Sequence, residues 1–334
     1  MRPLLSVCLV TYNQEQYIRK VLDGAVSQKT DFEYEIVIGE DYSTDGTRAI
    51  CQEYADLYPQ KVRLLPLADS NLGLNHNFIR TYSACNGKYI AYLEGDDWWI
   101  ASNKLQKQVD ILEQHSDVVL VHTNCKVWDE KADVTTDRLI RFEGECIREK
   151  QSGVSGVECE FRGHFRPMKT STCVYRKKVM DDILKEDPFA YNNKAFPTQD
   201  FQLFLDMAYR GKFAFVDEDT TVITLSETIS VSTNYHKQFR FRKGFHKIGL
   251  YYIDKYHLTP SVTHPWLQKE MHYHLNFAMR HGEYADDVVG LLNEDKQRGY
   301  RPPLTQQMLI FLIKHKWIRT ILSPIYNRYY SKRG

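Results

Sequence analysis

Five short apolar runs separated by stretches of helical periodicity constrain the first half of this 334-residue chain. The runs are Leu4 to Val10, Glu35 to Ile38, Val62 to Leu65, Tyr89 to Leu93 and Val118 to Val121. All five read as strands; Leu4 to Val10, continuous, apolar and bounded by polar residues, is expected to be buried on both faces, and the Tyr89 to Leu93 run to be buried as well. Between them, Gln14 to Val26 carries Tyr17, Ile18, Val21, Leu22 and Ala25 at helical spacing, with Asn13 placed to cap it. Helices are also expected up to about Leu57, around Asn77 to Cys85 and from Lys104 to Gln114. Strand–helix alternation on such short connections predicts an α/β fold, a doubly wound and mostly parallel sheet. Ligands of such sheets sit at the carboxyl ends of the strands.

The fourth run is the most informative of these ends. Gly87-Lys-Tyr-Ile-Ala-Tyr-Leu-Glu-Gly-Asp-Asp-Trp-Trp99 stops on three carboxylates, Glu94, Asp96 and Asp97. Like charges this close repel and raise one another's pKa unless a cation lies between them. Hard oxygen ligands suit Mg²⁺ or Mn²⁺ with a phosphate on the remaining positions. A solvated acidic turn fits the same residues. The ends of the first two strands, Thr11-Tyr12-Asn13 and Glu40-Asp41, are expected to converge on this edge. No Gly-x-Gly-x-x-Gly follows the first strand and no Walker lysine motif occurs, which argues against a dinucleotide dehydrogenase or a P-loop enzyme.

Four segments, in this order, resemble the inverting glycosyltransferases of family 2, which have the GT-A fold. Ser6-Val-Cys-Leu-Val-Thr-Tyr-Asn13 resembles the opening strand of the family. Ile38-Gly-Glu-Asp-Tyr-Ser-Thr-Asp-Gly46 resembles its Asp-Asp-Gly-Ser-x-Asp-Gly segment, with Glu40 for the first Asp and Tyr42 for Gly. Asn71-Leu-Gly73 resembles its Asn-x-Gly turn, and Glu94-Gly-Asp-Asp97 its Asp-x-Asp motif with Glu in front. The Arg-Asn pair that often follows Asn-x-Gly in the family has no counterpart. The resemblance covers residues 4 to 125 and implies a nucleotide-sugar site. Thr11, Tyr12 and Asn13 would line the base and ribose, and Asn71 would belong to the same pocket. Asp41 would accept from a pyrimidine N3–H, which favours UDP or dTDP donors. Asp96 would be the metal ligand, with Glu94 or Asp97 on ribose or metal-bound water. Asp45 reads instead as an Asx turn or helix cap. Trp98 and Trp99 are candidates to stack on an acceptor sugar, although Trp is readily buried under a strand end.

Phe196-Pro-Thr-Gln-Asp200-Phe-Gln-Leu-Phe-Leu-Asp206 opens another helix, and an acid there is explained by capping and the helix dipole alone. The resemblance gives Asp200 a second role, because family members carry an x-Asp pair at this helix start whose Asp is the catalytic base. The acceptor-binding half is expected over residues 126–235, with loops from Asp129 to Phe165, a strand from Thr170 to Tyr175 and closing strands over 212–225. The cations after Ser230, His236 and Arg240 among them, form either a lid over a diphosphate or a solvated helix face.

From residue 236 to the end the periodicity is helical, so the fold expectation is a GT-A domain plus a C-terminal helical extension. Residues 304–334 contain no acid and carry Lys314, Lys316, Arg319, Arg328, Lys332 and Arg333 among Met308, Phe311, Trp317 and Ile321. That pattern fits an amphipathic helix on a membrane surface, which would suit a lipid-linked saccharide acceptor. It fits equally a helix packed on the domain. No run reaches the ~18 apolar residues of a membrane span, and Met1 to Val10 reads as a strand rather than a signal peptide. A net charge of +1 gives no reason to expect nucleic acid. Seven scattered cysteines without a Cys-x-x-Cys pair point to reduced thiols in a cytoplasmic protein, peripheral on the inner membrane face if the basic helix docks there. The expected activity is transfer of a sugar from a UDP- or dTDP-sugar to a saccharide with inversion, assisted by Mn²⁺ or Mg²⁺, in surface-polysaccharide assembly. A non-catalytic nucleotide-sugar-binding scaffold and a sugar-phosphate nucleotidyltransferase are the rivals.

Overall fold

The computed structural model describes residues 2–136, 152–161, 168–225, 234–318 and 320–322. The sequence expectations for residues 137–151, 162–167 and 226–233, and for the last basic residues from Arg328 onward, lie outside these. Two compact units make up the chain, one up to residue 233 and one from residue 234.

The first unit is built on one mixed sheet. Its parallel part comprises β1 (Leu5–Thr11), β2 (Tyr34–Glu40), β3 (Val62–Leu64) and β4 (Tyr89–Glu94), in the order β3-β2-β1-β4. Between them run α1 (Glu15–Val26), α2 (Thr47–Leu57) and α3 (Leu74–Ala84). Beyond β4 the sheet departs from a simple doubly wound order. The strand β8 (Val174–Arg176) inserts antiparallel between β4 and β6 (Val118–Asp129), so the expected fifth strand does not pair with the fourth. After β6 come the 14-residue β9 (Lys212–Leu225), parallel to β6, and the two-residue β5 (Trp98–Trp99), antiparallel to β9. The short β7 (Val134–Thr136) pairs with β6. Where two closing strands were expected over 212–225, one continuous irregular strand runs.

Alternation along each strand decides which helix it meets. Leu5, Val7 and Leu9 of β1 and Ile36 and Ile38 of β2 join a cluster with Ile18, Val21 and Leu22 of α1 and Leu105, Val109 and Leu112 of α4 (Lys104–Gln114). Full burial of each such side chain contributes about 1.5–3 kcal/mol. The alternate positions face α3. Cys8 of β1 contacts Cys85 just beyond that helix, and a Cβ on Gly39 of β2 would collide with Thr81. All six described cysteines are free and buried; Cys146 falls outside the described residues.

The rest of the first unit is helical: α5 (Val154–Phe161), α6 (Lys177–Glu186), α7 (Pro188–Asn192) and α8 (Asp200–Arg210). The second unit contains α9 (Tyr235–Lys255), α10 (Pro260–Arg280), α11 (Ala285–Gln297) and α12 (Leu304–Lys314). No described helix is long and apolar enough to cross a membrane.

Candidate active site

β1, β2 and β4 end side by side, and the chain turns there on short polar segments. The acidic turn after β4 lies against the end of β1 because residue 95 is glycine: a Cβ there would collide with the Thr11 hydroxyl and the Gln14 amide. Gly95 N–H donates to the Val10 carbonyl at 2.9 Å, which extends β1–β4 pairing into the turn. Glu94, Asp96 and Asp97 each place one carboxylate oxygen within 4.8 Å of the others.

Their surroundings divide the three acids by role. Asp97 is 5 % exposed and accepts from Thr224 N–H of β9 at 3.0 Å. Burial and the charges of Asp96 and Glu94 raise its pKa well above the usual carboxylate range, against the hydrogen bonds from Ser171 and Thr224. Asp97 therefore ties the turn to β9. Glu94 accepts from the Thr170 hydroxyl at 2.6 Å. Burial and then Asp96 push its pKa up to about 7, with a further push from Asp200 and an opposing pull from Lys169. Asp96 is raised by burial, a rise that a hydrogen bond from Gln14 partly offsets. Three crowded carboxylates, all with the charged form disfavoured, are an oxygen-only donor set that a divalent cation would relieve. The residues present fit Mg²⁺ or Mn²⁺, with Asp96 and Glu94 partly exposed and Asp97 sealed behind them.

The sequence reading missed the turn that flanks these acids. Thr170–Thr172 is a 3₁₀ turn rather than the start of a strand, and only Val174–Arg176 is extended. Thr170 and Ser171 bind the acids, and the Ser171 hydroxyl accepts from Glu94 N–H at 3.1 Å. Gln14 was also missed. It accepts from the Thr11 hydroxyl at 2.8 Å and from Tyr12 N–H at 3.3 Å, so it links the end of β1 to Asp96. Nothing local in the sequence marks these residues, because the acids they bind lie some eighty positions away along the chain.

At the end of β2, Asp41 is 2 % exposed, and its carboxylate accepts from Leu72 N–H, Gly73 N–H and the Asn71 amide at 2.8–2.9 Å. Asn71 is thus committed to the same turn, whose Gly73 has φ +80°. The neighbouring Glu40 is fully buried and paired with Arg48 at 3.1 Å. Asn13 does not cap α1. With φ 51° it turns its side chain to accept from Thr44 N–H at 2.8 Å, and Gln14 takes the cap position without a capping side chain. Asp45 does the capping, as expected, and for two helices. It accepts from Thr47 N–H of α2 at 3.0 Å and from Glu15 N–H of α1 at 3.2 Å. Tyr12 stands 45 % exposed at the sheet edge, and Thr11 is buried beside it.

The expectation that Trp98 or Trp99 offers a face to a sugar needs correction. Both are buried, and residues 98–99 form β5, the last strand of the sheet order, paired antiparallel with β9. Trp99 Nε1 donates to the Ser171 carbonyl at 2.9 Å, while Trp98 lies edge-on to Trp128 at 5.8 Å. Lys104 is buried behind them, its ammonium 4.8 Å from the Trp99 ring.

Asp200 is the first residue of α8 and is exposed. Its carboxylate accepts from Phe201 N–H at 2.7 Å and from the Thr198 hydroxyl, the pattern of a helix-start acid. Its charge acts on both Glu94 and Tyr92, so it lies within Coulombic reach of the acidic turn. A cleft of about 460 Å³ opens nearby, lined by Asn71, Asn75 and His76 on one side and Asn192, Asn193 and Lys194 on the other. His236 and Arg240 belong to α9 of the second unit, where Nδ1 of His236 bonds the Tyr284 hydroxyl.

Residues 6–170 match the family described as Glycosyl transferase family 2. An uncharacterized protein of Mycobacterium tuberculosis is 44 % identical over 116 residues, which is 35 % of this chain and 33 % of that protein. The chain spans between a third and about half of the length of the curated relatives it matches. Among solved structures, Staphylococcus aureus TarS 1-349 in complex with UDP-GlcNAc has a TM-score of 0.57 at 18 % identity, with 94 % of this chain and 79 % of that one aligned. The mannosyltransferase PcManGT from Pyrobaculum calidifontis, in complex with GDP-Man and Mn²⁺, has a TM-score of 0.53 at 14 % identity over 97 % and 87 %. These two likenesses concern the fold. The ordered segments at the strand ends and the match over residues 6–170 together make this chain a member of glycosyltransferase family 2.

Proposed function

We propose that the chain transfers one sugar from a UDP- or dTDP-sugar to a saccharide with inversion at the anomeric carbon. The observation that carries this reading is the acidic turn Glu94–Asp97 within Coulombic reach of the exposed carboxylate of Asp200. Residues up to 125 hold the donor and those of 126–235 the acceptor. Tyr12, Thr11 and Asn13 border the base and ribose. Asp41 serves the pocket chiefly by holding the Asn71–Gly73 turn, with one lone pair left for a base N–H. The carboxylates of Asp96 and Glu94 hold the divalent cation, which when bound neutralises the departing diphosphate. Asp200 takes the proton of the acceptor hydroxyl as the new C–O bond forms and the anomeric carbon–phosphate oxygen bond breaks.

The structural neighbours do not fix the donor nucleotide, since TarS was solved in complex with UDP-GlcNAc and PcManGT with GDP-Man. A thermal-shift screen of UDP-, dTDP- and GDP-sugars with Mn²⁺ decides it; stabilisation by GDP alone overturns the pyrimidine assignment. With the donor in hand, Asp200→Asn is expected to keep donor binding and lose about 10²–10⁴-fold in transfer. Unchanged transfer removes Asp200 as the base. Release of pyrophosphate in place of nucleoside diphosphate makes the protein a nucleotidyltransferase.

A further inference from the structure

The second unit buries a polar cluster in the middle of its helices, where apolar side chains are the rule. His246 comes from α9, Glu270 and His274 from α10 and Asp295 from α11, and all four are wholly buried. Glu270 and His274 are four residues apart, so one face of α10 presents both. His246, Glu270 and His274 each place a nitrogen or carboxylate oxygen within 4.8 Å of the other two.

The cluster does not satisfy itself. His246 Nε2 lies 2.8 Å from Asp295 Oδ1, which leaves its Nδ1 without a partner. Glu270 Oε1 accepts from Arg242 at 3.1 Å, while Oε2 has no partner, and neither nitrogen of His274 has one. Each buried polar atom left unpaired destabilises the fold. An unpaired donor atom on each of three residues whose ligand atoms cluster this closely describes a ligand site better than a packing core.

We propose that His246 Nδ1, one ring nitrogen of His274 and Glu270 Oε2 bind a divalent transition-metal ion of the zinc class. Two imidazoles and one carboxylate are a donor set that zinc accepts, whereas Mg²⁺ favours oxygen alone. Asp295 stands where a carboxylate orients a metal-bound histidine, taking the N–H of the ring nitrogen opposite the metal. Of the two carboxylates, Arg242 balances one, so a dication meets residual negative charge. Because the cluster is closed to solvent, the ion would pin α9, α10 and α11 together rather than take part in sugar transfer.

The full chain, purified without chelator, tests this by elemental analysis. The Asp96→Asn variant, which removes the cation ligand of the first unit, is expected to retain one zinc-class ion per chain. His274→Gln is expected to lose it. Independently of any variant in the second unit, Asp96→Asn stripped of metal and titrated with Co²⁺ should develop the visible d–d bands of imidazole-bound cobalt, and Zn²⁺ should raise its thermal midpoint. Absence of those bands with no thermal response to Zn²⁺, or a folded His274→Gln that retains its full metal content, overturns the assignment.

Discussion

At the scale of single residues, Asp41 shows how a carboxylate named by a motif can act through the backbone. Three donors converge on its buried carboxylate from one turn. Asp41→Ala leaves the N–H groups of Leu72 and Gly73 and the Asn71 amide unpaired, and a hydrogen bond to a charged group contributes about 1.5–3 kcal/mol. The expected result is a drop of that order in urea stability together with weaker donor binding. Asp41→Asn, which keeps an acceptor oxygen, should recover part of both. A variant with unchanged stability and abolished donor binding would instead make Asp41 a direct contact to the base.

At the scale of elements, the loop after β2 and the start of α1 are one assembly, because Asp45 caps both helices. Replacing Asp45 by Ala is expected to cost about 1–2 kcal/mol, the upper end of single-cap effects, read as a shift in urea midpoint. Beneath the acidic turn, α4 supplies a test of pH dependence. Burial lowers the Lys104 pKa to about 7, although its ammonium sits near the Trp99 ring. The unfolded chain holds a proton on this lysine up to about pH 10.4, and the folded chain releases it near 7. Between these values the unfolded state binds more protons, so this group makes stability rise with pH, by at most about 1.4 kcal/mol per unit. Wild type should therefore gain more denaturant stability than Lys104→Met between pH 7 and pH 9. Equal gains would show that the lysine stays protonated in the fold.

For the whole molecule, the feature that extends beyond catalysis is the end of the second unit. Leu304, Met308 and Phe311 recur along one exposed face of α12, and beyond its end Trp317 and Ile321 are also exposed, at 67 % and 62 %. Lys314 and Lys316 lie beside them. An exposed apolar face beside lysines is what the proposed membrane-surface reading requires, and a lipid-linked acceptor would follow only from that reading. Met308→Glu with Phe311→Glu should reduce sedimentation with anionic liposomes; sedimentation equal to wild type removes the idea. Treatment with EDTA followed by Mn²⁺ should abolish and restore transfer, as expected of a cation held by Asp96. Full activity in EDTA would leave the acidic turn a structural feature.

Local chemistry made much of the catalytic unit legible in the sequence. Apolar runs such as Leu5 to Val10 state their burial, glycine and acids after β4 mark a strand end, and Asp45 and Asp200 announce helix starts through residues one or two positions away. Tertiary structure alone decided what those segments meet. The insertion of β8, the 3₁₀ turn of Thr170–Thr172 beneath the acids, the burial of Trp98 and Trp99 against β9, and the histidines gathered from α9 and α10 all depend on contacts between residues far apart in the chain. Periodicity reports which face of an element is apolar, whereas the partner of that face is set by how the whole chain closes its core.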